Sequence, residues 1–216
     1  MEPGGFSSSG EVVLYGAGGH ARVVRDILLA LGSEVAFFVD DAPGMNTFVG
    51  RQVRPSSALS GGPEAPPVVI SVGDNHARRR IAEELSGRGV GFATLVHPSA
   101  VVSPDAEIGE GTVVMPGAVI NSGARIGRHC IVNSGVVVEH ECIVGDYAHL
   151  SPHATLCGRA QVGEGVWVGA GAVTVQCTSV GAWSVIGAGA VVVRDMPQEV
   201  VAYGNPCRVK RDMKKG

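Results

Sequence analysis

Residues 136–154, VVVEHECIVGDYAHLSPHA, contain the side chains of this chain that are best suited to proton transfer. His140 lies between two carboxylates, Glu139 and Glu141. An anion beside an imidazole stabilises the imidazolium that forms when the ring accepts a proton, so His140 and Glu141 are candidates for a general base and its supporting carboxylate. A solvated surface histidine would show the same neighbours, and the pattern alone leaves that interpretation open.

A glycine-rich turn near the start is the second candidate site. The apolar run at 12–15 is followed by GAGGH and then by a helical pattern. Gly16, Gly18 and Ala21 satisfy the spacing G-x-G-x-x-G/A. Glycines in such a turn let a phosphate approach backbone N–H groups at a helix N-terminus. The alternative is that these glycines only close a tight turn.

A small Rossmann-like α/β domain, residues 11–95, is predicted to position this turn. Three strand ends converge there, at Gly16, at Asp40 with Asp41, and at Gly73, where open α/β sheets bind ligands. The region corresponds to one mononucleotide half of a dinucleotide fold, so a nucleotide or nucleotide-sugar fits better than NAD. Apolar runs and helical periodicity predict strands at 12–15, 34–40, 67–73 and 91–97, a short strand at 48–50, and helices at 21–32 and 75–89.

Residues 96–193 follow a strict repeat. From Val96 to Val192 an aliphatic residue recurs every six positions, and Thr174 is the exception. A second column, four residues after each aliphatic one, consists almost entirely of small residues. This period is incompatible with an α-helix and predicts a parallel β-helix of hexapeptide units, three to a triangular coil. Residues 194–216 are expected to form a C-terminal cap and tail.

The repeat also assigns side chains to the inside or the outside of the prism. Cys130 and Cys142 fall in the small inward column, which predicts structural rather than reactive thiols. His140, Glu141 and His149 fall at outward positions and are therefore available to a ligand.

Composition excludes several function classes. The chain has 17 basic and 20 acidic residues without a long run of one sign, which disfavours nucleic-acid binding. Its apolar runs are too short for a membrane span, and the start lacks a signal-peptide core, so we expect a cytoplasmic protein with a disordered segment 1–10. Five cysteines without a CxxC motif disfavour a disulfide framework and a zinc knuckle.

Several motifs in order resemble one family: LYGAGGHARVV, the hexapeptide array, NSGVVVEHECIVGDYAHLSPHATLCG and AYGNPCRVKR. Over about residues 11–211 the chain resembles the nucleotide-sugar acetyltransferases of the PglD and NeuD type. The resemblance implies a left-handed β-helix, a homotrimer, and an active site in the cleft between adjacent prisms. It also implies acetyl-CoA as co-substrate, no metal, and N-acetylation of a nucleotide-linked amino sugar, specifically a UDP-4-amino-4,6-dideoxy sugar.

Residue roles follow from the same resemblance. His140 matches the general base, and Glu141 matches the acidic residue that raises its basicity. The positions that hold the nucleotide-sugar correspond to Gly18, Gly19, His20, Asp40, Asp41, Gly73 and Asn133. The positions that line acetyl-CoA correspond to His149, Ala170 and Ala188. Three departures from the family pattern are Cys207, where a small residue is common, His153, where glycine is frequent, and Thr174, where the repeat usually has an aliphatic residue.

Other functions stay open on the sequence alone. One is acetylation of a GDP-amino sugar, and another is O-acetylation of a sialic acid-type sugar. A third is a non-catalytic nucleotide-sugar sensor. A more remote alternative is a zinc enzyme resembling the γ-class carbonic anhydrases, for which His140, His149 and His153 are available ligands.

Overall fold

The computed structural model describes residues 10–42 and 44–213. Residues 1–9 of the predicted disordered segment 1–10 lie outside the described residues, as do Pro43 and residues 214–216 of the tail.

The N-terminal part is a five-stranded sheet with two helices. The sheet order is β3-β4-β2-β1-β5, and every strand pair is parallel except β3 with β4. The bounds are β1 Glu11–Tyr15, α1 Gly19–Ala30, β2 Glu34–Val39, β3 Thr47–Phe48, β4 Arg51–Arg54, a 3₁₀ turn Ser56–Ala58, β5 Val68–Ile70 and α2 Asn75–Gly87.

Burial of apolar residues explains this arrangement. Strand β1 contributes fully buried Val12, Val13 and Leu14, as expected of a central strand covered on both faces. Helix α1 presents a buried stripe with spacings of three and four residues, namely Ala21, Val24, Ile27 and Leu28. The sequence-based prediction of a small α/β domain is therefore confirmed.

Two local predictions differ from the structure. The expected fourth strand at 91–97 does not form; Phe92 makes a single bridge to Val68, and Leu95–Val96 joins the β-helix instead. The segment after β2, expected to be mostly irregular, contains the hairpin β3–β4, and β4 extends the sheet beside β2. Both differences come from long-range pairing, which local patterns do not encode.

The rest of the chain is a left-handed parallel β-helix with three faces. The first face holds β7 Val101–Val102, β10 Val119–Ile120, β13 Val137–Val138, β16 Thr155–Leu156, β19 Val173–Thr174 and β22 Val191–Val192. The second face holds β8 Glu107–Ile108, β11 Arg125–Ile126, β14 Ile143–Val144, β17 Gln161–Val162 and β20 Ser179–Val180. The third face holds β6 Leu95–Val96, β9 Val113–Val114, β12 Ile131–Val132, β15 His149–Leu150, β18 Trp167–Val168 and β21 Val185–Ile186, extended by β23 Val200–Tyr203 and β24 Arg208–Asp212.

The inward columns form a continuous core along the prism. Strand partners lie 18 residues apart, as in Val119 with Val137 and Val137 with Thr155, so like positions stack from coil to coil. The aliphatic and small columns are buried together, and Cys130 and Cys142 are among them. At the C-terminal end β24 pairs with β23 in antiparallel fashion, and the buried Cys207 packs under this cap. No helix among the described residues is long and apolar enough to cross a membrane.

Thr174, the exception in the aliphatic column, has a testable consequence. Its hydroxyl is buried without a hydrogen-bond partner among the described residues. Valine has nearly the same shape and no polar atom, so we expect Thr174→Val to raise stability by about 1 kcal/mol, measured as a higher Tm.

Thr112→Val is the matched control. The Thr112 hydroxyl donates to the Gly127 carbonyl at 2.7 Å and accepts from the Cys130 amide at 2.9 Å. Removing it leaves both groups unpaired, so this variant should lose about 1–3 kcal/mol. A Tm shift of the same sign in both variants would contradict the interpretation.

Candidate functional site

Open space lies against the backbone at the carboxyl edge of the N-terminal sheet. A Cβ added at Gly18, Gly19 or Gly73 would meet no atom within 4 Å, so a ligand has room to approach these three residues. Gly18 is the N-cap of α1, which places the positive end of the helix dipole at this space. Gly16 differs, because its φ of +109° and its contacts with Ser71 require glycine for the turn itself.

Asp40 and Asp41 brace the glycine turn and the loops beside it. The Asp40 carboxylate accepts hydrogen bonds from the Ala17 amide at 3.0 Å and the Ala42 amide at 2.9 Å. Asp41 accepts from the Ser56 amide at 2.8 Å and from the Tyr15 hydroxyl at 3.0 Å. The Ser56 amide lowers the pKa of Asp41, and burial together with Asp41 raises the pKa of Tyr15 to about 12. Both carboxylates therefore hold the backbone around the glycine turn in place.

The Arg78 side chain joins the two domains. It is 1% exposed, and its guanidinium donates to the carbonyls of His129 at 2.8 Å and Tyr147 at 2.7 Å in the β-helix. On the N-terminal side it donates to the carbonyls of Val72 at 3.0 Å and Gly73 at 3.1 Å. Burial lowers the pKa of Arg78 to about 10, so the group remains charged at neutral pH. Arg78 thus fixes the Gly73 loop to the prism.

Three histidines around Arg78 are held neutral. Burial is the main cause that lowers the pKa of His20, His129 and His149 to about 4, and the Arg78 charge lowers each of them further. The Nε2 atom of His20 is buried without a hydrogen-bond partner among the described residues. It is therefore a polar atom that a ligand in the adjoining space can satisfy.

His149 and Asn133 extend the site onto the third face of the prism. Asn133 Nδ2 lies 3.3 Å from His149 Nε2, and the His149 ring stacks on Trp167 with its centroid 5.7 Å away. His149 also lies close enough to His20 and to the Gly73 backbone for both to influence its pKa. The residue expected to line acetyl-CoA is thus placed beside residues expected to hold the nucleotide-sugar.

His140 and Glu141 lie on the turn that joins the first and second faces. His140 Nδ1 is 3.2 Å from Glu141 Oε2, and both side chains are more than half exposed. The Glu141 backbone has a φ of +59° and its amide donates to the Ser122 carbonyl at 2.9 Å. The carboxylate is therefore held against one ring nitrogen, which leaves Nε2 as the atom able to accept a proton.

The predicted site residues occupy separate sides of one chain. The N-terminal domain packs on the third face and on the corner between the second and third faces, through contacts such as Val113, Ile131 and Tyr147. The corner that carries His140 is opposite the third face. Ala170 and Ala188 are exposed and stack one coil apart on the remaining corner, between the third and first faces. One chain therefore does not bring His140 to the residues that are predicted to hold the nucleotide-sugar.

Cys130 and Cys142 are buried thiols, and the candidate zinc ligands of one chain lie apart. Burial raises the pKa of the Cys130 thiol to about 12 and that of Cys142 to about 11, so both stay protonated. His140, His149 and His153 lie on different sides of the prism, and residues 10–42 and 44–213 hold no group of three side chains suited to a metal.

Sequence reasoning missed Arg78 and Trp167. A signal for Arg78 was present, because Asn75, Arg78, Ala82 and Leu85 follow the helical spacing of the buried stripe of α2. Two polar residues on such a stripe indicate a buried polar junction. Trp167 stands at an outward position of the repeat, one coil beyond His149, but nothing in the local sequence indicates that the two rings stack.

Comparisons with known proteins agree with this architecture. Residues 11–85 match the family model described as the PglD N-terminal domain, and residues 123–158 match that of the bacterial transferase hexapeptide with six repeats. The chain is 38% identical to PerB from Caulobacter crescentus, whose structure contains CoA and GDP-perosamine; the match covers 93% of this chain and 97% of PerB, with a TM-score of 0.85. It is also 38% identical to the acetyltransferase domain of PglB from Neisseria gonorrhoeae, covering 93% and 99%, with a TM-score of 0.87.

A curated relative matches over a shorter stretch. UDP-N-acetylbacillosamine N-acetyltransferase from Bacillus subtilis is 44% identical over 106 residues. That stretch is 46% of this chain and 48% of the relative, so the match spans about half the length of each.

The neutral histidines predict how stability depends on pH. The unfolded chain binds protons on His20, His129 and His149 below about pH 6.5, whereas the folded protein binds them only near pH 4. Stability should therefore be complete above pH 6.5 and should decrease as the pH falls toward 4. We expect Tm to decrease steadily between pH 7 and pH 5, before most carboxylates titrate.

His129→Asn is the control for this behaviour, since asparagine tolerates the φ of +52° at this position. It should lower Tm at pH 7.5 and also make the decrease toward pH 5 shallower, because one of the three titrations is removed. A wild-type Tm that does not change between pH 7 and pH 5 would contradict the neutral-histidine interpretation.

Proposed function

The chain belongs to the PglD-type family of hexapeptide-repeat acetyltransferases, and from this premise we propose that it transfers the acetyl group of acetyl-CoA to an amino group of a nucleotide-linked sugar. The substrate we propose is a UDP-4-amino-4,6-dideoxy sugar, in line with the curated Bacillus subtilis relative. The observation that carries the proposal is the His140–Glu141 contact of 3.2 Å on a hexapeptide prism whose N-terminal domain holds an open glycine cradle. Both substrates are cytoplasmic metabolites, which favours a cytoplasmic location.

The proposed chemistry is a direct transfer in a ternary complex. The neutral sugar amine attacks the thioester carbonyl carbon, the new C–N bond forms, and the C–S bond breaks to release CoA. His140 Nε2 takes the proton that the amine loses, while Glu141 accepts a hydrogen bond from Nδ1–H and stabilises the imidazolium. The buried and protonated Cys142, two residues from His140, is unsuited to form an acyl-enzyme.

The nucleotide diphosphate would lie against the glycine turn. Backbone N–H groups at the start of α1 and the helix dipole favour an anion at Gly18 and Gly19. The neutral His20 would supply Nε2 to the ligand, and Asn133 would contact the sugar from the third face. Asp40 and Asp41 would contribute mainly by holding the surrounding loops, with their remaining lone pairs free for ribose or base.

We further propose that the active site is shared between subunits of a homotrimer. His140 lies on the corner opposite the face on which the N-terminal domain packs, so a second copy is needed to bring a base to the nucleotide-sugar. Ala170 and Ala188 stack one coil apart, and their small side chains would let acetyl-CoA lie against the prism in the cleft between two subunits. His149 and Trp167 would lie beside the bound acetyl-CoA.

A GDP-amino sugar is the second candidate substrate. PerB, which this chain matches over nearly its whole length, was crystallised with GDP-perosamine. A direct assay distinguishes the two: release of the CoA thiol should be faster with a UDP-linked amino sugar than with a GDP-linked one, and it should not occur with CMP-sialic acid or free sugars. Absence of acetyl transfer to every nucleotide-linked amino sugar tested would overturn the proposed function.

Replacing His140 should remove chemistry and leave the fold intact. Because the side chain is outward and exposed, His140→Ala opens no cavity and should keep the assembly and Tm of the wild type. Loss of a positioned general base should lower kcat by about 10²–10⁴-fold while both substrates still bind. Glu141→Ala should do less harm, and the two losses should be less than additive. A folded His140→Ala enzyme that keeps more than about a tenth of the wild-type kcat would contradict the mechanism.

Mixed assemblies test the shared site. Asp40→Ala removes the carboxylate that accepts a hydrogen bond from the Ala17 amide in the glycine turn, so nucleotide-sugar binding should weaken. The affinity for acetyl-CoA should stay nearly unchanged. When Asp40→Ala and His140→Ala chains are co-expressed with different tags, each shared site draws the two residues from different subunits. Every trimer that contains both chains then has one intact site out of three, so doubly tagged protein should recover about a third of wild-type activity. No recovery, or a monodisperse active monomer by light scattering, would overturn the shared site.

A further inference from the structure

The imidazole of His140 lies directly over Gly158, which occupies the equivalent turn position one coil further on. A Cβ added at Gly158 would lie 2.8 Å from His140 Cε1, 3.1 Å from Cδ2, and closer still to Nε2. Contacts below 3.0 Å do not occur at real Cβ atoms, so the ring and a side chain at 158 cannot occupy this space together. The ring therefore points along the prism axis, with Nε2 toward the next coil.

The backbone itself does not require glycine at this position. Gly158 is not among the glycines with positive φ, so an L-residue can adopt its conformation. The equivalent positions in other coils carry side chains, namely Pro104 and Ser122 on one side of His140 and Gln176 and Arg194 on the other. Among these positions only 158 is glycine, and it is the one on which the His140 ring rests.

The two turns are also tied together, so the conflict cannot be relieved by separating the coils. The Arg159 amide donates to the His140 carbonyl at 2.9 Å, and the Glu139 amide donates to the Leu156 carbonyl at 2.9 Å. Strand pairs on either side, such as Val138 with Leu156, hold the same spacing. With the backbone fixed, a side chain at 158 must displace the ring.

We propose that Gly158 is a positioning residue for His140, and this proposal rests on the proposed function. Its missing side chain leaves room for the imidazole orientation that sets Nδ1 on Glu141 and directs Nε2 into the space over Gly158. A side chain at 158 rotates the ring and breaks its contact with Glu141. The proton-accepting nitrogen then no longer lies next to the position that the substrate amine must occupy.

Gly158→Ala tests the proposal. The variant should keep the assembly of the wild type and bind both substrates, while kcat falls by about 10²-fold, the loss typical of a reacting group displaced by about 1 Å. Gln176→Ala, the same turn position one coil further on, is the matched control and should keep wild-type kcat. Gly158→Ala with kcat within about twofold of the wild type would overturn the proposal.

A double-mutant cycle separates positioning from a general effect of the substitution. If Gly158 acts only through the ring, adding Gly158→Ala to His140→Ala should cost no further activity and no further Tm. Equal losses of activity or Tm in both backgrounds would overturn the proposal. If Gly158→Ala is too unstable for an activity assay, the Tm values of the same four proteins still test the proposal. A Tm loss that occurs only when the His140 ring is present supports the steric conflict.

Imidazole nitrogen chemical shifts give a readout that needs no substrate. The His140 signals, identified by their absence from His140→Ala, should move in Gly158→Ala and stay unchanged in Gln176→Ala. Unchanged signals in Gly158→Ala would overturn the proposal even if activity fell. If no nucleotide-sugar is acetylated, the proposed function fails, and these shifts still decide whether Gly158 positions the ring.

Discussion

The buried guanidinium of Arg78 is the interaction on which the arrangement of the site depends. Its N–H groups donate to carbonyls of both domains, including those of Gly73, His129 and Tyr147, and to the Asn75 side chain. A buried charge is stable only when its hydrogen-bonding capacity is filled, so these carbonyls must stay in place around it. Arg78 thereby ties the loop that follows β5 to the corner of the prism. Asn75, which donates to the Gly165 carbonyl at 3.0 Å, and the ion pair of Arg79 with Glu164 add further polar links, while Val113 and Ile131 pack against apolar residues.

The same charge sets the electrostatics of the proposed nucleotide site. Burial and Arg78 keep His20 and His149 neutral at physiological pH, so these rings offer hydrogen-bonding nitrogens and add no further charge. Arg78, which is held by hydrogen bonds to both domains, and the start of α1 contribute positive potential near the glycine turn. Fixed dipoles and a fixed cation favour an anionic diphosphate without the entropy cost of ordering long side chains.

The β-helix holds the residues around His140 in place by the stacking of its coils. Each turn is tied by hydrogen bonds to the next, so residues 18 positions apart keep the same place on successive coils. His140, Glu141 and the space above Gly158 are held in relation to one another by this stacking rather than by a packed pocket. An exposed pair such as His140 and Glu141 adds little to stability, which leaves it free to be selected for chemistry.

The sequence by itself determined the β-helix and the outward position of His140, because a six-residue period repeats through the chain and register alone assigns each side chain to a face. It also determined the strand, glycine turn and helix at the N-terminus, where the signals are local. Only the tertiary structure decided that Leu95 pairs within the prism, that Arg78 joins carbonyls up to 69 residues away in sequence, and that His149 lies beside His20. It also decided the direction of the His140 ring, since the residue beneath it is 18 positions further along the chain. The 18-residue repeat places residue 158 one coil beyond His140, but it carries no information about the direction of the ring. The other outcomes depend on contacts between residues far apart in sequence, whose partners local patterns do not specify.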